Sequence, residues 1–155
     1  MAKYRDLTKE ELVTFEKEFV DYLVVNGIVA EDWEKMKLEE NAKADEIVSL
    51  FSDIIMEGVL RKIKFLEIRT KSYVQAVQCL SDKLLMVAIS SKDKAYNMSA
   101  FKPETPKEVI ADYFEMHQGE KKYDKSREEV LFEMVTQGYD ISDGILFKSL
   151  ILATV

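Results

Sequence analysis

Among 155 residues there is one histidine, His117, and one cysteine, Cys79, so the side chains behind most metal and nucleophile chemistry are nearly absent. Thiolate zinc sites take several cysteines, and helical di-metal sites take paired Glu-x-x-His motifs; this chain can supply neither. A lone cysteine closes no internal disulfide, and the apolar setting of Cys79 between Ala76 and Leu80 predicts a buried, inert thiol in a reducing compartment. The five glycines stand apart at 27, 58, 119, 138 and 144, which excludes a P-loop and a dinucleotide fingerprint. Asp140, Ser142 and Gly144 have some look of a calcium loop, but Ile145 and Ile151 sit where that loop needs its glycine and its bidentate glutamate. Long apolar runs are missing too: Leu84 to Ile89 falls far short of the ~18 residues that read as a membrane span. The charged opening MAKYRDLTKEE lacks the apolar core of a signal peptide. These absences predict a cytoplasmic protein with no metal, no cofactor and no catalytic residue.

What is present is a globular balance, 47% apolar and 33% charged, at a length suited to a single domain over 1–155. The net charge of −7 argues against broad affinity for nucleic acid or acidic membranes. Its distribution is uneven: residues 1–60 carry 7 basic and 15 acidic side chains, 61–105 carry 9 and 4, and 106–155 carry 6 and 10.

Three capping boxes mark helix starts. Thr8 with Glu11, flanked by Leu7 and Leu12 as a hydrophobic staple, opens a helix through Phe15, Phe19 and Leu23 to a stop at Asn26-Gly27. A short helical turn is expected around Trp33. Thr105 with Glu108, and Pro106 as the first helical residue, opens a helix with a stripe of Val109, Ile110, Tyr113, Phe114 and His117, ended by Gly119. Ser126 with Glu129 opens another, ended by Gly138. Between 41 and 62 the stripe Ala44, Ile47, Val48, Phe51, Ile54, Ile55 and Val59 predicts a long helix, with Gly58 read as a close packing contact. The stretches 63–70, 73–80 and 83–90 read as an antiparallel meander, the first at a sheet edge and the third covered on both faces. Residues 91–103 read as a mobile loop with a fourth short strand near Tyr96 to Met98, and 142–155 as a helix. The expected fold is α+β: three to four antiparallel strands packed against about five helices.

Two features stand out as candidate sites. Arg61, Lys62, Lys64, Arg69 and Lys71 face one acid, Glu67, across 61–71. They would form a strip for an anionic ligand or an acidic partner, or would be lysines protecting a strand edge. The lack of a glycine loop and of interleaved aromatics favours the edge reading. Glu16 falls on the apolar side of its helix, which predicts a shielded carboxylate paired with Arg61, Lys62, Lys64 or Arg69. His117, in the last turn of its helix, reads as a structural residue near the helix dipole. The first helix also has a broad apolar arc, with Val13, Val20, Tyr22, Val24 and Val25 outside its main stripe, as an interface with another chain would require.

The segments Lys3-Tyr4-Arg5-Asp6-Leu7-Thr8-Lys9-Glu10-Glu11-Leu12, Glu18-Phe19-Val20, Asn26-Gly27-Ile28 and Asp32-Trp33-Glu34 resemble a family of small uncharacterised bacterial cytoplasmic proteins, a domain of unknown function. The similarity continues through Leu50-Phe51-Ser52-Asp53-Ile54 and Leu60-Arg61-Lys62-Ile63-Lys64 as far as about residue 90. It implies an α+β protein without assigned activity and supplies no catalytic residues. The expected role is therefore non-catalytic: a homodimer or a protein-partner interaction. The alternative is an enzyme or anion-binding protein with a site between the first helix, the basic strand 61–71 and the loop 91–103.

Overall fold

The computed structural model describes residues 2–155. The chain forms two compact units, Met1–Arg61 and Lys62–Val155. Among the described residues, seven α-helices, a short 3-10 helix and five strands appear, so the α+β class holds with more helices and strands than expected.

The first unit is helical: α1 (Lys9–Thr14), α2 (Glu16–Val25), α3 (Ala30–Glu39) and α4 (Asn41–Lys62), whose last residue lies across the unit boundary. Both halves of the capping box at Thr8 form, and Glu11 also receives Arg5 at 2.7 Å. The Arg5 guanidinium and the Thr8 amide hold the Glu11 carboxyl down at about 2, against an ordinary 4.5. The single helix expected over this stretch breaks at Phe15. There the Thr14 hydroxyl donates back to the Glu10 carbonyl at 3.1 Å, a contact that bends helices, and Phe15 takes φ −102°, ψ 25°. α2 ends as expected, with Gly27 at φ 74°, the Gly27 amide on Val24 O and the Ile28 amide on Leu23 O. α3 is a full helix rather than a short turn.

The core of this unit gathers Phe19 against both Trp33 and Phe51, at ring separations of 5.3 and 4.9 Å, beside buried Leu23 and Met36. Residues 3–7 run along polar positions of α4. The Lys3 amide donates to Asp53 at 2.8 Å, the Leu7 amide to Ser52 Oγ at 2.9 Å, and Ser49 Oγ to Asp6 at 2.7 Å. Gly58 differs from its expected role, because a Cβ there would meet nothing within 4 Å.

The second unit holds a fully antiparallel sheet in the order β4-β3-β2-β1-β5, built from β1 (Phe65–Arg69), β2 (Val74–Cys79), β3 (Lys83–Ser91), β4 (Phe114–Lys122) and β5 (Asp140–Ser142). The meander is as expected, but β1 lies inside the sheet, paired with β5 along 65–67. The edges are β5 and the polar β4. One face carries Val74, Ala76, Val87 and Ile89 under α7 (Ile145–Ala153), α5 (Lys107–Tyr113) and the 3-10 helix (Met98–Ala100). On the opposite face Leu84 is buried and Met86 and Ala88 are half-buried, so β3 is covered in part on that side too. α6 (Arg127–Thr136) begins at its expected cap, where Ser126 Oγ accepts the Glu129 amide, and beyond α6 the Tyr139 hydroxyl donates to Gln75 of this face at 2.6 Å.

Three expectations are corrected here. The stretch 114–122 is a strand, because Phe114 and Met116 turn inward while Glu115 and His117 turn outward, and β3 supplies a partner along its whole length. The capping box at Thr105 does not form; Pro106 is the N-cap and the Thr105 hydroxyl donates to Lys102 O. Residues 96–98 form no strand: a bend at Tyr96 leads through Asn97 into the 3-10 helix at Met98, and the loop is pinned by buried Met98 and Phe101. The tail is a helix as expected. Gly144 caps it at φ 90°, where a Cβ would lie 2.6 Å from the Phe65 ring. Among the described residues no helix is long and apolar enough to cross a membrane.

Candidate functional site

The five basic residues of 61–71 do not line one strand. Arg61 sits on α4 in an ion pair with Glu57 at 3.6 Å, Lys62 ends that helix, Lys64 lies in the connector to β1, and Lys71 is in the turn after β1. Only Arg69 is on the strand. Its guanidinium donates to Phe101 O at 2.6 Å and lies 3.8 Å from Glu67, so it ties the 91–103 loop to the sheet. Glu16 stands exposed at the start of α2 and, among the described residues, in no ion pair. The bend at Phe15 shifts it away from the apolar side that an unbroken helix would have given it. His117 is exposed on β4, opposite Ala88, and is not at a helix end.

An arginine outside the basic strip has the densest polar surroundings. Arg127, at the start of α6, donates through Nε to Leu80 O at 3.1 Å and through a terminal nitrogen to Cys79 O at 3.1 Å and to Ile63 O. The Tyr123 hydroxyl donates to the same Leu80 carbonyl at 2.7 Å. The fork closes the ends of β1 and β2, where the ladder runs out of partners. Burial pushes the Tyr123 hydroxyl up to about 12 and the Cys79 thiol up to about 11, against the lesser downward pull of Arg127 in both cases. At neutral pH Cys79 is thus a protonated, buried thiol, as the sequence predicted. No sequence motif marks Arg127. The sole hint is a cation in the first turn of a helix, where an acid is the better choice.

In the second unit a groove of about 570 Å³ lies between residues 91–96 and α5. Ser91 is buried at one side, its Oγ accepting the Asp93 amide at 3.1 Å. The walls carry Tyr96, Tyr113 and Phe114, with Tyr96 edge-on to Phe114 at 5.7 Å. Two carboxylates, Asp93 and Asp112, stand at the groove, whereas the Lys92 ammonium is directed to the last carbonyls of α5, at 3.4 Å from Ala111 O and 3.2 Å from Asp112 O. Among the described residues no group of three or more His, Cys, Asp or Glu side chains could hold a metal ion.

No curated protein and no solved structure matches the chain. A family model described as a family of unknown function matches residues 1–154, so the similarity seen in the first 90 residues extends over nearly the whole sequence. The chain belongs to that family of unknown function, DUF6495.

Proposed function

We propose that the chain is a non-catalytic interaction protein whose acidic helical unit receives a partner segment bearing apolar anchors and positive charge. The observation that carries this reading is the exposed apolar set of the first unit. Val13, Val24 and Val25 are 72, 64 and 84% exposed, and Leu50 and Ile54 of α4 are 51 and 55% exposed. Val20 and Val24 lie one turn apart on the exposed flank of α2 beside Phe19 and Leu23, and Leu50 and Ile54 repeat that spacing on α4. Pairs of exposed apolar side chains one turn apart on a helix are the form in which a helical face offers anchors to a partner.

Charge then chooses the occupant. Residues 1–61 carry 8 basic and 15 acidic side chains, whereas 62–155 carry 14 of each, so the whole net charge of −7 resides on the helical unit. Two such faces brought together in a symmetric dimer would repel. A basic amphipathic helix would gain both apolar contact and charge complementarity. The groove beside 91–96 favours a second reading, in which the chain also binds a small molecule.

The test is titration of the full chain with a fluorescent Leu/Lys amphipathic helical peptide and with its Leu/Glu counterpart, alongside native mass spectrometry. Binding of the lysine peptide that weakens with salt, and is lost in a Val20→Ser/Val24→Ser variant of unchanged helicity, is the expected result. Equal binding by that variant would remove the proposal, and a dimer that ignores the peptide would put a second copy in the partner's place.

A further inference from the structure

We infer that the groove between residues 91–96 and α5 is a binding site for a small organic ammonium ion with an apolar or aromatic body. Three independent features converge on that chemistry. The space, about 570 Å³, is of the size of small-ligand pockets. Its walls present the rings of Tyr96, Tyr113 and Phe114, and ring faces attract cations, most strongly where water is partly displaced. Among the described residues its charged lining is Lys92, Asp93 and Asp112; Lys92 faces the Ala111 and Asp112 carbonyls, and neither carboxylate is in an ion pair.

Each alternative occupant meets an obstacle. An anion would face two carboxylates together with the carbonyl end of α5, which carries the negative pole of that helix. A neutral apolar molecule would gain the aromatic contact but nothing from the two exposed carboxylates. An ammonium group answers the carboxylates while its carbon body covers the aromatic walls, and the buried Ser91 hydroxyl, which already accepts the Asp93 amide, keeps its own proton to donate to a polar substituent.

The groove is preformed on both sides. The Lys92 amide donates to Tyr113 O at 3.0 Å, joining the end of β3 to the end of α5. On the other side the Asp93 side chain accepts the Ala95 amide at 2.9 Å and its carbonyl accepts the Tyr96 amide at 3.1 Å, which fixes the turn that carries Tyr96. Little ordering is left for a ligand to impose, which favours binding of a small molecule.

The experiment is an amide-resolved NMR titration of the full chain with three probes of one shape: phenethylamine, 2-phenylethanol and 3-phenylpropanoate. Phenethylamine is expected to shift the amides of 91–96 and 109–114 with millimolar affinity, about tenfold more tightly than the alcohol. The propanoate is expected to leave them unmoved. Added salt should weaken the amine alone. Asp112→Asn and Tyr113→Ala, both at exposed positions, should each reduce amine affinity by several-fold while the other resonances stay in place. Equal affinity for amine and alcohol, preference for the propanoate, or absence of shifts at these amides would each overturn the assignment.

Discussion

Gly58 shows how a residue can be legible in type and not in role. Its place on the apolar side of a long helix implied that something packs where the side chain is missing, yet a Cβ would find nothing within 4 Å and its φ is not positive. The glycine therefore retains its entropic cost without a packing return. Gly58→Ala is expected to stabilise the protein by up to ~1 kcal/mol, read from the midpoint of denaturant unfolding at unchanged slope. Gly144 is the opposite case. It needs a positive φ and also sits against the Phe65 ring, so the same substitution there is strained twice over. Glu16 teaches a related lesson, since its assignment to an apolar face assumed an unbroken helix. At the break, where the Thr14 hydroxyl donates to Glu10 O and Phe15 leaves helical geometry, the carboxylate is left in water.

Elements that carry their own signals were readable: the box at Thr8, the Gly27 and Gly138 stops, the long α4 and the meander all follow from residues close in sequence. β4 was hidden because Val109, Ile110, Tyr113 and Phe114 fit a helical stripe, and the alternation that begins at Phe114 is decided only by pairing with β3, a contact distant in sequence. β5 is three residues long and pairs with β1 more than seventy positions upstream, beyond the reach of any local pattern. The candidate site was legible only in part. The loop at 91–103 was singled out, but its partner is α5, not the basic strand, whose one pointing arginine serves to anchor the loop. Arg127 was invisible for the same reason, being defined by three carbonyls from elsewhere in the chain. Arg127→Met would leave the Ile63 and Cys79 carbonyls without that donor, an expected loss of about 2–4 kcal/mol. Arg127→Lys should recover only part of it, because an ammonium cannot reproduce the fork. A change within ~0.5 kcal/mol for the methionine variant in urea titrations would show that the fork is not what closes the strand ends.

At the scale of the molecule, the two units differ in size, composition and charge, yet the sequence reads as one domain. Which description governs stability is decided by cooperativity. The first unit, Met1–Arg61, lies in the size range where folding removes only about 60% of the chain's surface from water and independent stability is marginal. Its excess of acidic side chains adds self-repulsion to that margin. The boundary between the units falls within α4, whose last residue is Lys62. One unfolding transition is therefore expected, coincident when followed by helical circular dichroism and by fluorescence of the single Trp33, which reports on the first unit alone. Salt should raise its midpoint by screening the acidic unit. A Trp33 transition that precedes the loss of the remaining secondary structure would establish two separately folding units, and residues 1–61 could then be tested by themselves for the partner binding proposed for their valine-rich face.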